Sequence, residues 1–245
     1  MKTFTIGKKK IVLKEEWMVG FITTWIVGLL AHAYRFFNFL PIWDSIYNFT
    51  GVGSTYTLGR WFLGYAGLIT SMFDLPWVNG AFSLFYISIV VILLTEMFEI
   101  KNKGMIVLCA AIFVSFPTVV SSFAYMYTAD AYLLAFLLAT LAVYLTWCVK
   151  KWGTIAGMVC LAFAMGIYQA YATVAIVLVL LYIIRQFVIE KLDFLEAVRK
   201  DLKYLGMLVG GAVLYAVILK ITLIRYNITL PGYQGIGALG IMSLG

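Results

Sequence analysis

Long apolar runs dominate this sequence and restrict the chain to a membrane environment. Apolar segments that are candidates to cross about 30 Å of hydrocarbon follow one another between polar connections. Their ranges are 18–37, 79–98, 104–123, 128–149, 152–167, 168–188 and 204–224. With 64% hydrophobic residues and a mean hydropathy of +0.99, a soluble domain could not cover that much apolar surface. The runs therefore predict an all-α polytopic membrane protein with about seven transmembrane helices.

The distribution of basic residues predicts how these spans are oriented. Lysine and arginine accumulate in cytoplasmic loops, and a cytoplasmic N-terminus places all but four of the 18 basic residues on that side. The four exceptions, which lie on or near the external face, are Arg35, Arg60, Lys220 and Arg225. The formal charge of +7 thus follows the membrane topology and does not indicate a nucleic-acid partner.

The longest external segment is the loop between the first two spans, residues 38–78. Long loops in compact proteins are usually functional. Its stretch "GRWFLGYAGLITSMF" has apolar residues at helical spacing, which predicts an interfacial helix on the outer membrane surface. The proline in "FDLPW" disfavours helix at Leu75, so the second span is expected to begin after it.

Two acidic residues of the external side are candidate catalytic groups. Asp44 has two interpretations. Its carboxylate could take a proton from an acceptor hydroxyl, or its side chain could cap a turn of helix. Asp130, in "YMYTADAY", suits the first turn of a helix that Thr128 can cap. An ionisable group near the hydrocarbon edge is also a functional candidate.

Three external basic residues are candidates for phosphate binding. Arg60 stands beside an aromatic residue in "GRW", and arginine grips phosphate through two parallel hydrogen bonds. The alternative is an arginine that snorkels from an interfacial helix. Lys220 and Arg225 lie near the outer end of the last span, where they bind phosphate or anchor at lipid headgroups.

A tight connection, "GIYQAY", joins the fifth and sixth predicted spans. It places Tyr168, Gln169 and Tyr171 just below the external surface, as candidate substrate-binding residues. His32, alone near the outer end of the first span, is interpreted as a hydrogen-bonded packing residue. The cysteines show no disulfide or metal-ligand spacing, and "GMLVGGA" in the last span predicts close helix contact.

Three stretches in this order carry a family resemblance: "DSIYNFTGVGSTYTLGRWFLGY", "YMYTADAYLLAFLLATLAVYL" and "GIYQAY". With them the chain resembles the bacterial O-antigen glucosyltransferase type II family, whose members are similar in design to the GT-C class. The resemblance implies transfer of a hexose, glucose in that family, from a polyprenyl-phosphate donor to a surface glycan. It places the active site on the external face of the cytoplasmic (inner) membrane.

The resemblance also assigns roles to the candidate residues. Asp44 resembles the acid of the first external loop, Arg60 the arginine of "GRW", and Asp130 the acid of "TAD". No cofactor is implied with certainty, and a divalent cation is possible. Because members of the family are longer, residues 1–245 are interpreted as a single transmembrane domain, the N-terminal part of a longer protein.

Two other classes of function compete with glycosyl transfer. A transporter or flippase for a lipid-linked sugar would also use interior polar residues and a broken span such as "GIYQAY". Transporters bind near the bilayer midplane, however, whereas the unusual charges here gather at the external face. A noncatalytic membrane scaffold would tolerate replacement of Asp44.

Overall fold

Helices form most of the chain that the structure describes, as the apolar runs predict. This computed structural model describes residues 2–6, 9–47, 55–68, 74–191 and 193–230. The helices are α1 (Glu15–Phe37), α2 (Trp43–Tyr47), α3 (Leu63–Gly67), α4 (Pro76–Met97), α5 (Lys103–Ser115), α6 (Pro117–Ser122), α7 (Met126–Cys148), α8 (Gly153–Ile167), α9 (Ala172–Arg185) and α10 (Phe194–Tyr226). Before them, β1 (Lys2–Ile6) and β2 (Lys9–Leu13) pair as an antiparallel ribbon, which the hydropathy pattern does not predict.

Five stretches of the described chain are long and apolar enough to cross a membrane: Glu15–Phe37, Pro76–Met97, Pro117–Cys148, Gln169–Glu190 and Arg199–Tyr226. The apolar helices α5 and α8 are shorter, with 13 and 15 residues. At about 1.5 Å per residue they reach only about 20–23 Å, less than the hydrocarbon thickness. Every predicted run thus contains a helix, and the length criterion supports five of them as spans.

Ion pairs gather the ends of several helices on one side of the molecule, which we call the Lys14 end. The pairs are Lys14–Glu96 (2.7 Å), Lys103–Glu15 (2.6 Å), Arg185–Glu99 (2.8 Å) and Lys200–Glu190 (3.1 Å). Most of these side chains are partly exposed, and such pairs contribute about 0–1 kcal/mol each. They therefore identify which helix ends lie together, while apolar packing supplies most of the stability.

Arg35 joins helix ends on the opposite side, which we call the Arg60 end. Its guanidinium donates to the carbonyl oxygens of Phe123 (2.8 Å) and Ala124 (3.1 Å), and also to that of Leu40. These carbonyls belong to a loop and to the turn between α6 and α7. Burial raises the pKa of the nearby Asp74 carboxyl, and the Arg35 charge opposes that rise. One of the four unusual basic residues therefore has a structural role.

Small residues allow the helices to approach closely. Ala135, Ala139 and Ala142 of α7 are fully buried at the spacing of one helical face. Two glycines of "GMLVGGA", Gly210 and Gly211, pack α10 against α8, since a Cβ at Gly211 would lie 2.8 Å from Leu161 Cδ2. The predicted close contact is confirmed. The interpretation of His32 is also confirmed, because its Nε2 lies 2.9 Å from the Val114 carbonyl oxygen.

The middle described part of the first long loop, residues 55–68, packs between the helices at the Arg60 end. Trp61, Leu63 and Ala66 are buried, and the backbone N–H of Phe62 donates to the Gly166 carbonyl of α8 (2.8 Å). Only short helical turns occur here. A continuous interfacial helix is not confirmed over residues 59–68, and the rest of the predicted segment, residues 69–73, lies outside the described residues.

Candidate active site

A cavity of about 1420 Å³ runs along the helices from the Arg60 end. Its walls include α4, α5, α7 and α9. Three residues of α5 together with Phe116, which directly follows it, lie at positions i, i+3, i+4 and i+7, and so do four residues of α9, the spacing of one helical face. These two stripes are Cys109, Ile112, Phe113 and Phe116, and Val174, Val177, Leu178 and Leu181. Most of the cavity is apolar, so polar lining residues stand out.

Several polar residues line the cavity near its Arg60 end, and we call five of them the polar mouth: Asp44, Arg60, Tyr127, Tyr132 and Tyr168. They come from different parts of the sequence and are brought together by the packing of residues 55–68 between α7, α8 and α10. Tyr171 lies beside the mouth and also lines the cavity.

Arg60 is held in the polar mouth by two tyrosines. Its Nη1 donates to the Tyr132 hydroxyl (3.1 Å), and its Cζ lies 4.4 Å from the centre of the Tyr168 ring. Its buried Nε lacks a hydrogen-bond partner among the described residues. A fixed cation with a spare donor is suited to an anionic ligand.

Tyr132 and Tyr168 of the mouth form an aromatic wall together with the neighbouring Tyr171. The rings of Tyr132 and Tyr168 stack at 5.5 Å, and Tyr171 lies 6.3 Å from Tyr132. A cation over one aromatic face contributes roughly 0.5–2 kcal/mol, so the Tyr168 ring orients Arg60 as well as enclosing it.

Asp44 lies in α2, exposed in the first turn of that helix. Its neighbour Ser45 is buried, and the Ser45 hydroxyl accepts from the backbone N–H of Ile42 (2.8 Å) and donates to the Ile42 carbonyl (2.9 Å). These two hydrogen bonds to the backbone fix the start of α2. The neighbouring Asp44 is one of the residues that line the cavity. An acid in the first turn is also favoured by the helix dipole.

Asp130 lies away from the cavity, buried between α4 and α7. Its Oδ1 accepts from Asn79 Nδ2 (2.9 Å), and Asn79 Oδ1 accepts from the backbone N–H of Leu75 (3.2 Å). Residues two apart on a helix are rotated by about 200°, so Asp130 and Tyr132 face opposite sides of α7. Thr128 donates to the Tyr125 carbonyl and does not cap the helix. The position of Asp130 therefore suits helix packing.

Replacement of Asp130 is expected to affect stability first. Asp130→Ala leaves the buried Asn79 amide without its acceptor, which should lower the free energy of unfolding by about 1–3 kcal/mol. Asp130→Asn keeps an acceptor oxygen and should recover part of the loss. Thermal unfolding in detergent measures both variants. A turnover loss in Asp130→Asn without any change in stability would contradict this role and support catalysis by Asp130.

Gln169 holds the loop that carries Arg60. Its Nε2 donates to the Leu58 carbonyl (2.8 Å) and to the Tyr215 hydroxyl (2.9 Å), which in turn donates to the Gly59 carbonyl (3.0 Å). Gly59 has a φ of +72°, a left-handed conformation that favours glycine. Gln169 is thus placed to position the loop, while the neighbouring Tyr168 and Tyr171 line the cavity.

A matched pair of glycine replacements tests this loop. Gly59→Ala is expected to destabilise the protein by about 1–2 kcal/mol through its left-handed backbone alone, and the new Cβ would lie 2.6 Å from Gln169 Nε2. Gly206→Ala is the control, because a Cβ there meets no atom within 4 Å and alanine favours helix. Thermal unfolding in detergent compares the two. Equal stability of both variants would rule out a tight loop.

Lys220 and Arg225 are exposed on α10 and are not among the described lining residues of the cavity. Of the three basic residues proposed from the sequence for phosphate, the structure therefore places Arg60 in the cavity. Within the described ranges, no group of three or more His, Cys, Asp or Glu side chains is arranged to hold a metal ion.

Sequence reasoning missed Tyr127 and Tyr132 of the mouth. Both lie in "YMYTADAY", a stretch in which Asp130 was the predicted site residue. For Tyr132 the sequence contains a signal, because Tyr125 and Tyr132 are seven residues apart and such residues share one face of a helix. Tyr125 and Tyr132 both line the cavity.

Comparison with known proteins identifies one family. The family model described as Glucosyl transferase GtrII matches residues 33–244, a range that includes every residue of the polar mouth. No curated protein and no solved structure matches the chain. None of these comparisons supports the transporter interpretation.

Proposed function

The chain belongs to the glucosyl transferase GtrII family, and from this premise we propose that it transfers glucose from a polyprenyl-phosphate donor to a surface glycan such as O-antigen. Membership in the family makes it a glycosyltransferase, and its apolar helices make it a membrane protein. The observation that carries the proposal is that Asp44 and Arg60 line one cavity, which supplies a base and a cation to the same reaction.

Arg60 serves the leaving group in this mechanism. The bond between the sugar anomeric carbon and the phosphate oxygen breaks, and the phosphate keeps the electron pair. Charge then develops on that oxygen, where a pre-positioned cation stabilises the transition state more than the ground state. Tyr132 and Tyr168 hold the guanidinium in place before the donor arrives, so little reorganisation is needed.

Asp44 serves the acceptor. A new bond forms between an acceptor hydroxyl oxygen and the anomeric carbon, and the hydroxyl proton passes to the Asp44 carboxylate, which later releases it to water. Asp44 is exposed, so a bulky glycan can approach it from solvent. Tyr168 and Tyr171 line the cavity near Arg60, where their side chains can contact the hexose.

The membrane orientation of the proposal follows from the basic residues. We propose seven crossings, with the Lys14 end cytoplasmic and the Arg60 end external, so that the polar mouth opens outside. Here α5 and α8 cross although they are short, which local thinning of the bilayer can accommodate.

Cysteine labelling tests this orientation in a background with Cys109, Cys148 and Cys160 replaced. A reporter at Thr229→Cys, just after α10, should react with an impermeant reagent added to intact cells. One at Lys101→Cys, between α4 and α5, should react only after the membrane is opened. Both positions are exposed. The reverse pattern of labelling would overturn the orientation.

A transfer assay tests the activity itself. Membranes from cells expressing the complete protein should move labelled glucose from polyprenyl phosphate to an acceptor glycan, and membranes lacking it should not. Movement of intact lipid-linked sugar across vesicles without transfer would contradict the proposal and restore the transporter interpretation.

A further inference from the structure

The cavity continues beyond Arg60 as an apolar groove between α5 and α9. The stripe on α9 that lines it runs from Val174 to Leu181, seven residue steps that span about 10 Å along the helix axis. From the α5 side it is lined by Cys109, Ile112 and Phe116. The groove therefore joins a cationic end to a long hydrocarbon-lined path.

The groove opens sideways toward the surface that would face lipid. Ile112 and Phe116 are each 54% exposed, and Val177 and Leu181 are 52% and 46% exposed, although all four line the cavity. A closed pocket for a free sugar would bury such side chains. The hydrocarbon tail of a lipid ligand could enter between α5 and α9 directly from the membrane, without passing through water.

We propose that the α5–α9 groove binds the isoprenoid chain of the lipid donor, with the phosphate at Arg60. This rests on the proposed function and adds a binding site for the part of the donor that does not react. The occupant follows from the arrangement of charge: an anionic head joined to a long apolar tail matches one cation at the end of one apolar groove. A free nucleotide sugar has no long apolar part that would contact the groove.

Remote binding of this kind has a kinetic consequence. Contacts with the chain are equal in ground and transition states, so they lower KM without changing kcat. The groove therefore distinguishes donors by chain length, whereas the polar mouth acts on the sugar and phosphate that every donor shares.

Val177→Trp narrows the groove and should raise KM for a long-chain donor by about tenfold, the effect of losing about two buried methylene groups. A donor with a single isoprene unit should keep the wild-type KM with this variant, and kcat should change little for either donor. Val217→Trp on α10 is the control, since Val217 is 49% exposed and does not line the cavity. Equal effects of Val177→Trp on both donors, or none on either, would overturn the groove.

Photocrosslinking tests the site without any turnover. A long-chain polyprenyl phosphate with a diazirine on its tail, and no sugar, should label peptides from Lys103–Ser115 and Ala172–Arg185. Unlabelled polyprenyl phosphate should compete. Equal competition by phosphatidylglycerol would show that the groove holds bulk phospholipid and would overturn the proposal. Labelling in a protein that transfers no glucose would leave the groove in place and refute the proposed function.

Discussion

Asp44→Asn is expected to lower the turnover number for glucosyl transfer by about 10² to 10⁴, the usual contribution of a general base. The amide has nearly the shape of the carboxylate but accepts no proton, so the fold and donor binding should be retained. The rate is measured as labelled glucose transferred from polyprenyl phosphate in membranes, at equal amounts of each protein. Binding of the donor is measured separately by its KM.

Asp193→Asn is the matched control for this experiment. Asp193 is an exposed aspartate at the start of α10, near the Lys14 end, and its side chain makes no capping bond. This variant should transfer glucose at the wild-type rate. If Asp44→Asn does so as well, the base lies elsewhere, and the assignment of Asp44 is wrong.

Arg60→Ala is expected to lower kcat by about 10² to 10³, the effect of removing one donor that stabilises developing negative charge. Loss of the guanidinium should also weaken the donor complex, because the phosphate is charged before the reaction. Arg60→Lys separates these effects: it keeps the charge and loses the planar fork that binds two oxygens. It should raise KM for the donor and recover part of kcat.

The control for Arg60 is Arg199→Lys, an exposed arginine of α10 near the Lys14 end, which should leave both constants unchanged. A second comparison uses Tyr132→Phe. It removes the hydroxyl that accepts from Arg60 but keeps the stacked ring, so its effect should be in the same direction and smaller. Wild-type kinetics in Arg60→Ala would refute phosphate binding by this residue.

The sequence identified Asp44 and Arg60 as candidates because each breaks a local rule. Both are charged residues in a predicted external loop of a very apolar chain, and a charge near hydrocarbon is costly enough to require a reason. Asp130 breaks the same rule, yet the structure gives its carboxylate a buried partner in Asn79. Sequence alone could not separate these cases, since a helical partner 51 residues away leaves no local signal.

Gln169 shows the same limit for a connection. The short link between α8 and α9 was predicted from the spacing of the apolar runs, and the structure has it as a turn of 3-10 helix. Which of its side chains face the cavity depends on the loop from Thr55 to Arg60, which packs against this turn. The link could be placed from sequence, but the direction of its side chains could not.

The sequence by itself determined the membrane class, the order of the apolar helices and the start of α4 at Pro76, because these depend on composition, run length and the local chemistry of proline. The tertiary structure decided that residues 55–68 pack between helices, that Asp130 faces α4, and that Arg60 lies between Tyr132 and Tyr168. The physical reason is that helix formation depends on neighbours along the chain. The facing of side chains depends instead on helix rotation and on contacts between distant segments, which local periodicity does not encode.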